Sequence, residues 1–120
     1  MKKSILIVED YPEAGATFKE LLELLGHEVE WVVNGQAAMQ KLHEGAFDLV
    51  FMDLNLPDMH GLVLLKQVRE KELSPDTRFI AVSGHSAKDA AAVEASRVFD
   101  HYLEKPIDLA VLNRILSSTA

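Results

Sequence analysis

Four short stretches hold the residues whose types could do chemistry. "LIVED" (6–10) ends in Glu9-Asp10, and "DLVFMD" (48–53) ends in Asp53. "FIAVSG" (79–84) brings Ser83, and "YLEKP" (102–106) brings Lys105-Pro106. Each polar group follows an apolar run of strand length. Brought together, the three carboxylates would repel. At 4 Å and an effective dielectric near 20, each like-charged pair costs roughly 4 kcal/mol. Lys105 can balance one of the three charges, and a divalent cation is the natural partner for the rest. Oxygen donors without Cys or paired His favour Mg²⁺, which binds through one or two carboxylates plus a phosphate. In such a set Asp53 is a candidate carboxylate nucleophile. Lys105 is a point charge for a phosphoryl oxygen, and Ser83 is a hydroxyl donor. The expected reaction is phosphoryl transfer onto Asp53, giving an acyl phosphate.

The surrounding sequence must bring these residues to one place. Apolar runs at 4–8, 47–52 and 77–83 read as buried strands, and "EVEWVV" (28–33) alternates as a strand with one wet face does. A brief fifth strand is expected at 99–103. Between them, helical spacing appears over 13–25, 35–44, 61–72, 87–97 and 107–117. Gly26 and Gly45 act as stop signals, Ser86 and Asp89 as a capping box, and Asp108 as an N-cap. The apolar stripes are Ala14, Phe18, Leu21, Leu22 and Leu25, then Leu62, Leu65 and Val68, then Leu109, Leu112 and Leu116. Five strands alternating with five helices predict an α/β fold, doubly wound and flavodoxin-like, with helices on both faces of a parallel sheet. The most apolar strands are the first, third and fourth, and the second belongs at an edge. The predicted order is therefore 2-1-3-4-5. Strand order then reverses between the first and third strands, where open α/β sheets bind ligands beyond the carboxyl ends. Both of those strands end in acids.

Composition narrows the function. The chain has 120 residues, 48% of them hydrophobic and 26% charged, enough for one domain with a real core. No apolar run reaches membrane-spanning length, and "MKKSILIVED" reads poorly as a signal peptide. A net charge of −7 argues against direct nucleic-acid binding, and the absence of Cys suits a reducing, cytoplasmic setting.

With these residues in order, the chain resembles a response-regulator receiver domain of two-component signalling, over residues 4–117. The family's acidic pair matches Glu9-Asp10, its acceptor matches Asp53, its Ser or Thr matches Ser83, and its Lys-Pro matches Lys105-Pro106. The spacings, 83 − 53 = 30 and 105 − 83 = 22, fit as well. Pro57 and Gly61 match the loop after the acceptor. The resemblance implies phosphorylation of Asp53 by a histidine kinase or histidine phosphotransfer protein, with Mg²⁺ held by Glu9, Asp10, Asp53 and the Asn55 backbone carbonyl. It also implies a cis Lys105-Pro106 peptide and Tyr102 as the aromatic switch residue. A downstream protein target would then read the 87–117 face. Two departures are Gly84, where many members carry Ala, and the absence of Ala-Gly before Phe99-Asp100. The expectation is a single receiver domain over 1–120 with no output domain, a signalling switch rather than a turnover enzyme. The rival is a Mg²⁺-dependent phosphatase with an aspartyl nucleophile. Such enzymes place a second Asp two residues on, where this chain has Asn55, which cannot exchange a proton. A flavodoxin-like mononucleotide binder would need a phosphate-cradling loop where this chain has the acidic "EDYPEAG" (9–15). Trp31 is expected to be edge-strand packing, and coordination by His85 is not expected.

Overall fold

A computed structural model describes residues 2–84 and 90–118, side chains excepted at 90–92, 96 and 118. Five strands alternate with five helices: β1 Ser4–Val8, α1 Pro12–Leu24, β2 Glu28–Val32, α2 Gly35–Glu44, β3 Leu49–Asp53, α3 Gly61–Glu70, β4 Arg78–Ser83, α4 Ala90–Val98, β5 His101–Glu104 and α5 Leu109–Ser118. The strands form one parallel sheet in the order β2-β1-β3-β4-β5. The predicted fold and strand order are therefore the observed ones.

Side-chain alternation along each strand divides the core in two. Leu6 and Val8 of β1, Val50 and Met52 of β3, and Phe79 and Ala81 of β4 face α2, α3 and α4. Ile5, Ile7, Leu49, Phe51, Ile80 and Val82 face α1 and α5. Every residue of β3 is buried, as a central strand covered on both faces must be. On the α1 side, Phe18 meets Phe51 edge to face, with ring centroids 4.9 Å apart. β2 is an edge strand, its Glu28 and Glu30 exposed and its Val29, Trp31 and Val32 half-buried.

The helix ends show why the chain turns where it does. Pro12 opens α1, where its missing N–H is no loss. Asn34 caps α2 by accepting the Ala37 N–H at 2.8 Å. His60 caps α3 through Nδ1, which accepts the Leu62 N–H at 3.1 Å. Asp108 caps α5 by accepting the Ala110 N–H at 2.8 Å, as its position predicts.

Two helical stripes differ from expectation. Leu109 is exposed and Ile115 is buried in its place. In α5 the buried set is Leu112, Ile115 and Leu116, a stripe rotated away from the first turn. Leu25, the residue that follows Leu24 at the end of α1, is exposed rather than part of the buried stripe. The capping box at Ser86 and Asp89 lies outside the described residues, as does His85.

Candidate functional site

The carboxyl ends of β1, β3, β4 and β5 lie along one rim of the sheet. Asp53 is the last residue of β3 rather than the first beyond it. Its backbone is in the ladder opposite Val82, so sheet hydrogen bonding sets where its carboxylate points. One carboxylate oxygen, Oδ1, accepts the Asn55 N–H at 2.9 Å. The other, Oδ2, accepts from Lys105 Nζ at 3.0 Å. Lys105 also donates to Glu9 Oε1 at 2.5 Å, and Glu9 Oε2 accepts the Tyr11 N–H at 3.1 Å. One ammonium thus joins two acids that lie 44 positions apart in the chain.

Carboxylate oxygens of Glu9, Asp10 and Asp53 all lie within 4.8 Å of one another. Glu9 and Asp53 are buried, while Asp10 is exposed at the rim. Three formal negative charges against one positive leave a surplus of two. All the donors are hard oxygens, so the residues fit one small divalent cation. The titration of the pair reflects its burial. Burial pushes the Glu9 carboxyl above its ordinary value, and the bonds from Lys105 and Tyr11 offset this only in part. Burial pulls Lys105 down, but its bonds to Glu9 and Asp53 outweigh that and hold its ammonium above the ordinary value.

Other predicted positions have their own places. Ser83, the last residue of β4, is buried, and its carbonyl accepts the Lys105 N–H at 2.8 Å. The β4 and β5 ends are thereby tied together beside Lys105. The Lys105-Pro106 peptide is cis. Asn55 is exposed, in an isolated bridge to His60. Tyr102 packs its half-buried ring against the core on the α4 side. Its hydroxyl is buried without a hydrogen-bond partner among the described residues.

Three further residues hold the rim together. Trp31 is more than edge packing: its indole N–H donates to the Glu9 carbonyl at 2.9 Å. Asp58 accepts the Gly35 and Gln36 N–H groups at 2.8 and 2.9 Å, fastening the loop after Asp53 to the start of α2. Gly61 comes so close to β3 that an added Cβ would lie 2.8 Å from the Asp53 carbonyl oxygen. The glycine was visible in the motif. The other two act across more than twenty positions, and no local spacing marks such bonds.

The response regulator receiver domain model matches residues 5–117. The chain belongs to the response regulator receiver domain family. This receiver domain is similar to a CheY-like one of solved structure from Methylobacillus flagellatus, at 45% identity over the whole of both chains and a TM-score of 0.89. It is also similar to the receiver domain of the sensor histidine kinase PA1611 from Pseudomonas aeruginosa PAO1, with 28% identity, 98% and 97% of the two chains covered and a TM-score of 0.87. That structure has a magnesium ion coordinated in its active site cleft. Among curated proteins, the transcriptional regulatory protein CrdR of Helicobacter pylori is 36% identical, with 91% of this chain and 51% of that protein covered. The chain spans about a quarter to a half of the length of curated relatives it matches. Among the described residues, no helix is long and apolar enough to cross a membrane.

Proposed function

We propose that this receiver domain is a phosphoacceptor of a two-component system or phosphorelay, with Asp53 as the acceptor. The observation that carries this reading is the setting of the Asp53 carboxylate. It is fixed at the end of a central strand, with Lys105 Nζ at 3.0 Å and the oxygens of Glu9 and Asp10 within 4.8 Å.

Glu9, Asp10 and Asp53, with the Asn55 backbone carbonyl, would hold Mg²⁺, as the magnesium in the Pseudomonas relative supports. When bound, the cation neutralises phosphoryl oxygens. The donor is a phosphohistidine of a histidine kinase or histidine phosphotransfer protein. An Asp53 oxygen attacks its phosphorus. The new O–P bond forms as the P–N bond breaks, and the donor imidazole keeps the electron pair and takes up a proton. Lys105 balances charge on the phosphoryl oxygens, and Ser83 donates its hydroxyl to one of them. Both sit on the β4–β5 side of the rim, so a phosphoryl group there draws that side inward. Tyr102 follows, its buried hydroxyl gaining nothing from its present position among the described residues. Charge-assisted hydrogen bonds contribute about 1.5–3 kcal/mol each, and two of them approach the roughly 5.5 kcal/mol that moves a 1:99 equilibrium to 99:1. The surface of 87–117 is the face a downstream protein would read, and no direct contact with nucleic acid is part of this reading. The domain is a switch of the cytoplasm.

The experiment is labelling with acetyl phosphate and Mg²⁺, read by intact mass. The parent chain should gain one phosphoryl group, and Asp53→Asn should gain none. An Asp53→Asn protein labelled at the parental rate would end the reading.

A further inference from the structure

Glu9 is held at every polar group it has. Its N–H donates to the Val32 carbonyl at 3.0 Å, extending the β1–β2 ladder by one step. Its carboxylate is engaged by Lys105 and by the Tyr11 N–H. Its carbonyl accepts the Trp31 indole N–H at 2.9 Å. That carbonyl belongs to the peptide joining Glu9 to Asp10, so its direction sets how the two acids present their oxygens. Trp31 is opposite Ile7 in the β1–β2 register. From there its ring reaches over the start of α1.

Gly15 is the counterpart that lets the ring lie there. A Cβ on Gly15 would collide with Cε2, Cζ2 and Nε1 of the indole. A glycine inside a helix is unfavourable relative to alanine, so helix formation does not explain its presence, whereas the flat contact with the indole does. The N–H edge of the ring is therefore pressed between the α1 backbone and the Glu9 carbonyl.

We propose that Trp31 is a positioning residue for the divalent-cation cluster, its indole, seated on Gly15, fixing the Glu9–Asp10 peptide through the Glu9 carbonyl. It touches none of the reacting atoms. Only the identity of the cation rests on the phosphoacceptor reading. A residue of this kind behaves like the outer partners of metal ligands, whose loss typically weakens metal binding by about 10–100-fold. Because Trp31 acts through a backbone carbonyl, the low end of that range is expected.

The chain has one tryptophan, so residue-specific incorporation can replace it with the benzothienyl analogue. That analogue keeps the bicyclic shape and lacks the N–H. The expected result is a Mg²⁺ dissociation constant raised about tenfold by calorimetry, with the melting midpoint of the metal-free protein lowered by about 5 °C at most. A dissociation constant within about twofold of the parent overturns the proposal. A second test uses Gly15→Ala, which should weaken Mg²⁺ binding in the parent but far less in a Trp31→Ala background, which has no ring for the new methyl to strike. Equal effects in both backgrounds also overturn it. A parent chain that takes up no Mg²⁺ overturns the metal reading and the inference together, whereas a parent and analogue that bind alike overturn the inference alone.

Discussion

Lys105→Met tests whether the ammonium is what makes two buried acids tolerable. In the parent, Nζ lies 2.5 Å from Glu9 and 3.0 Å from Asp53. Without it, two carboxylates whose oxygens lie within 4.8 Å face each other. At an effective dielectric near 20 and that separation, their repulsion is about 3.5 kcal/mol. The variant has one escape, which is to protonate Glu9, whose burial already favours the neutral form. From an ordinary value of 4.5, holding that proton at pH 7 costs about 3.4 kcal/mol. The two routes agree, so the loss at pH 7 should be about 3 kcal/mol. At pH 5 the proton costs only about 0.7 kcal/mol, and the loss should fall below about 1 kcal/mol. The sign follows from linkage. The native variant binds more protons than its unfolded chain between these pH values, so its stability falls as pH rises, and the stabilisation is complete only below the unfolded value. Urea denaturation followed by circular dichroism, in EDTA at pH 5 and pH 7, measures both numbers. An equal loss at the two pH values would show that Lys105 contributes by packing, and the electrostatic account would fail.

Asp58→Ala should cost about 1 kcal/mol at pH 7, a typical value for a lost helix cap, because the Gly35 and Gln36 amides lose their acceptor. The Gly35 N–H bond leads in holding the Asp58 carboxyl below its ordinary 3.8. Its contribution is thus present above that value and lost as pH falls through the depressed folded one, and urea midpoints for the two proteins that differ as much at pH 2 as at pH 7 would contradict this. Gly61→Ala sets packing against propensity. Helix formation alone predicts a gain of up to about 1 kcal/mol, but the added Cβ meets the backbone at Asp53 O and Leu54 Cα, 2.8 and 3.1 Å away. The expected outcome is a loss of about 1–3 kcal/mol with slower acetyl phosphate labelling, and a stabilised variant would refute it.

Much of this was legible because it is repeated along the chain. Continuous apolar runs marked β1, β3 and β4 as central, and the alternation around Glu28 and Glu30 marked β2 as an edge. Acids at the ends of β1 and β3 became a site once the strand order placed those ends side by side. What escaped has no period. Trp31 bonds a carbonyl 22 positions away, and Asp58 bonds amides 22 and 23 positions away. Such side-chain-to-backbone bonds depend on loop paths, which hydropathy does not encode. Leu109, at the start of α5, is exposed, and the buried stripe of that helix is Leu112, Ile115 and Leu116. The sequence held the true stripe, and Ile115 was available to complete it.

Lys105 is shared between two acids, and this sharing ties the resting site to its proposed change. Its bond to Glu9 joins two residues of the sheet rim, neither of which takes the phosphoryl group in the proposed reading. Its bond to Asp53 goes to the one that does. A phosphoryl group on Asp53 supplies oxygens farther from the strand than Oδ2, so Nζ must move outward to reach them while Glu9 holds it back. The backbone of Lys105 is tied to the Ser83 carbonyl at 2.8 Å, so a pull on the side chain is a pull on the ends of both β4 and β5. Weakening the Glu9 bond should therefore free Nζ to follow the phosphoryl oxygens and increase the pull on the ends of β4 and β5.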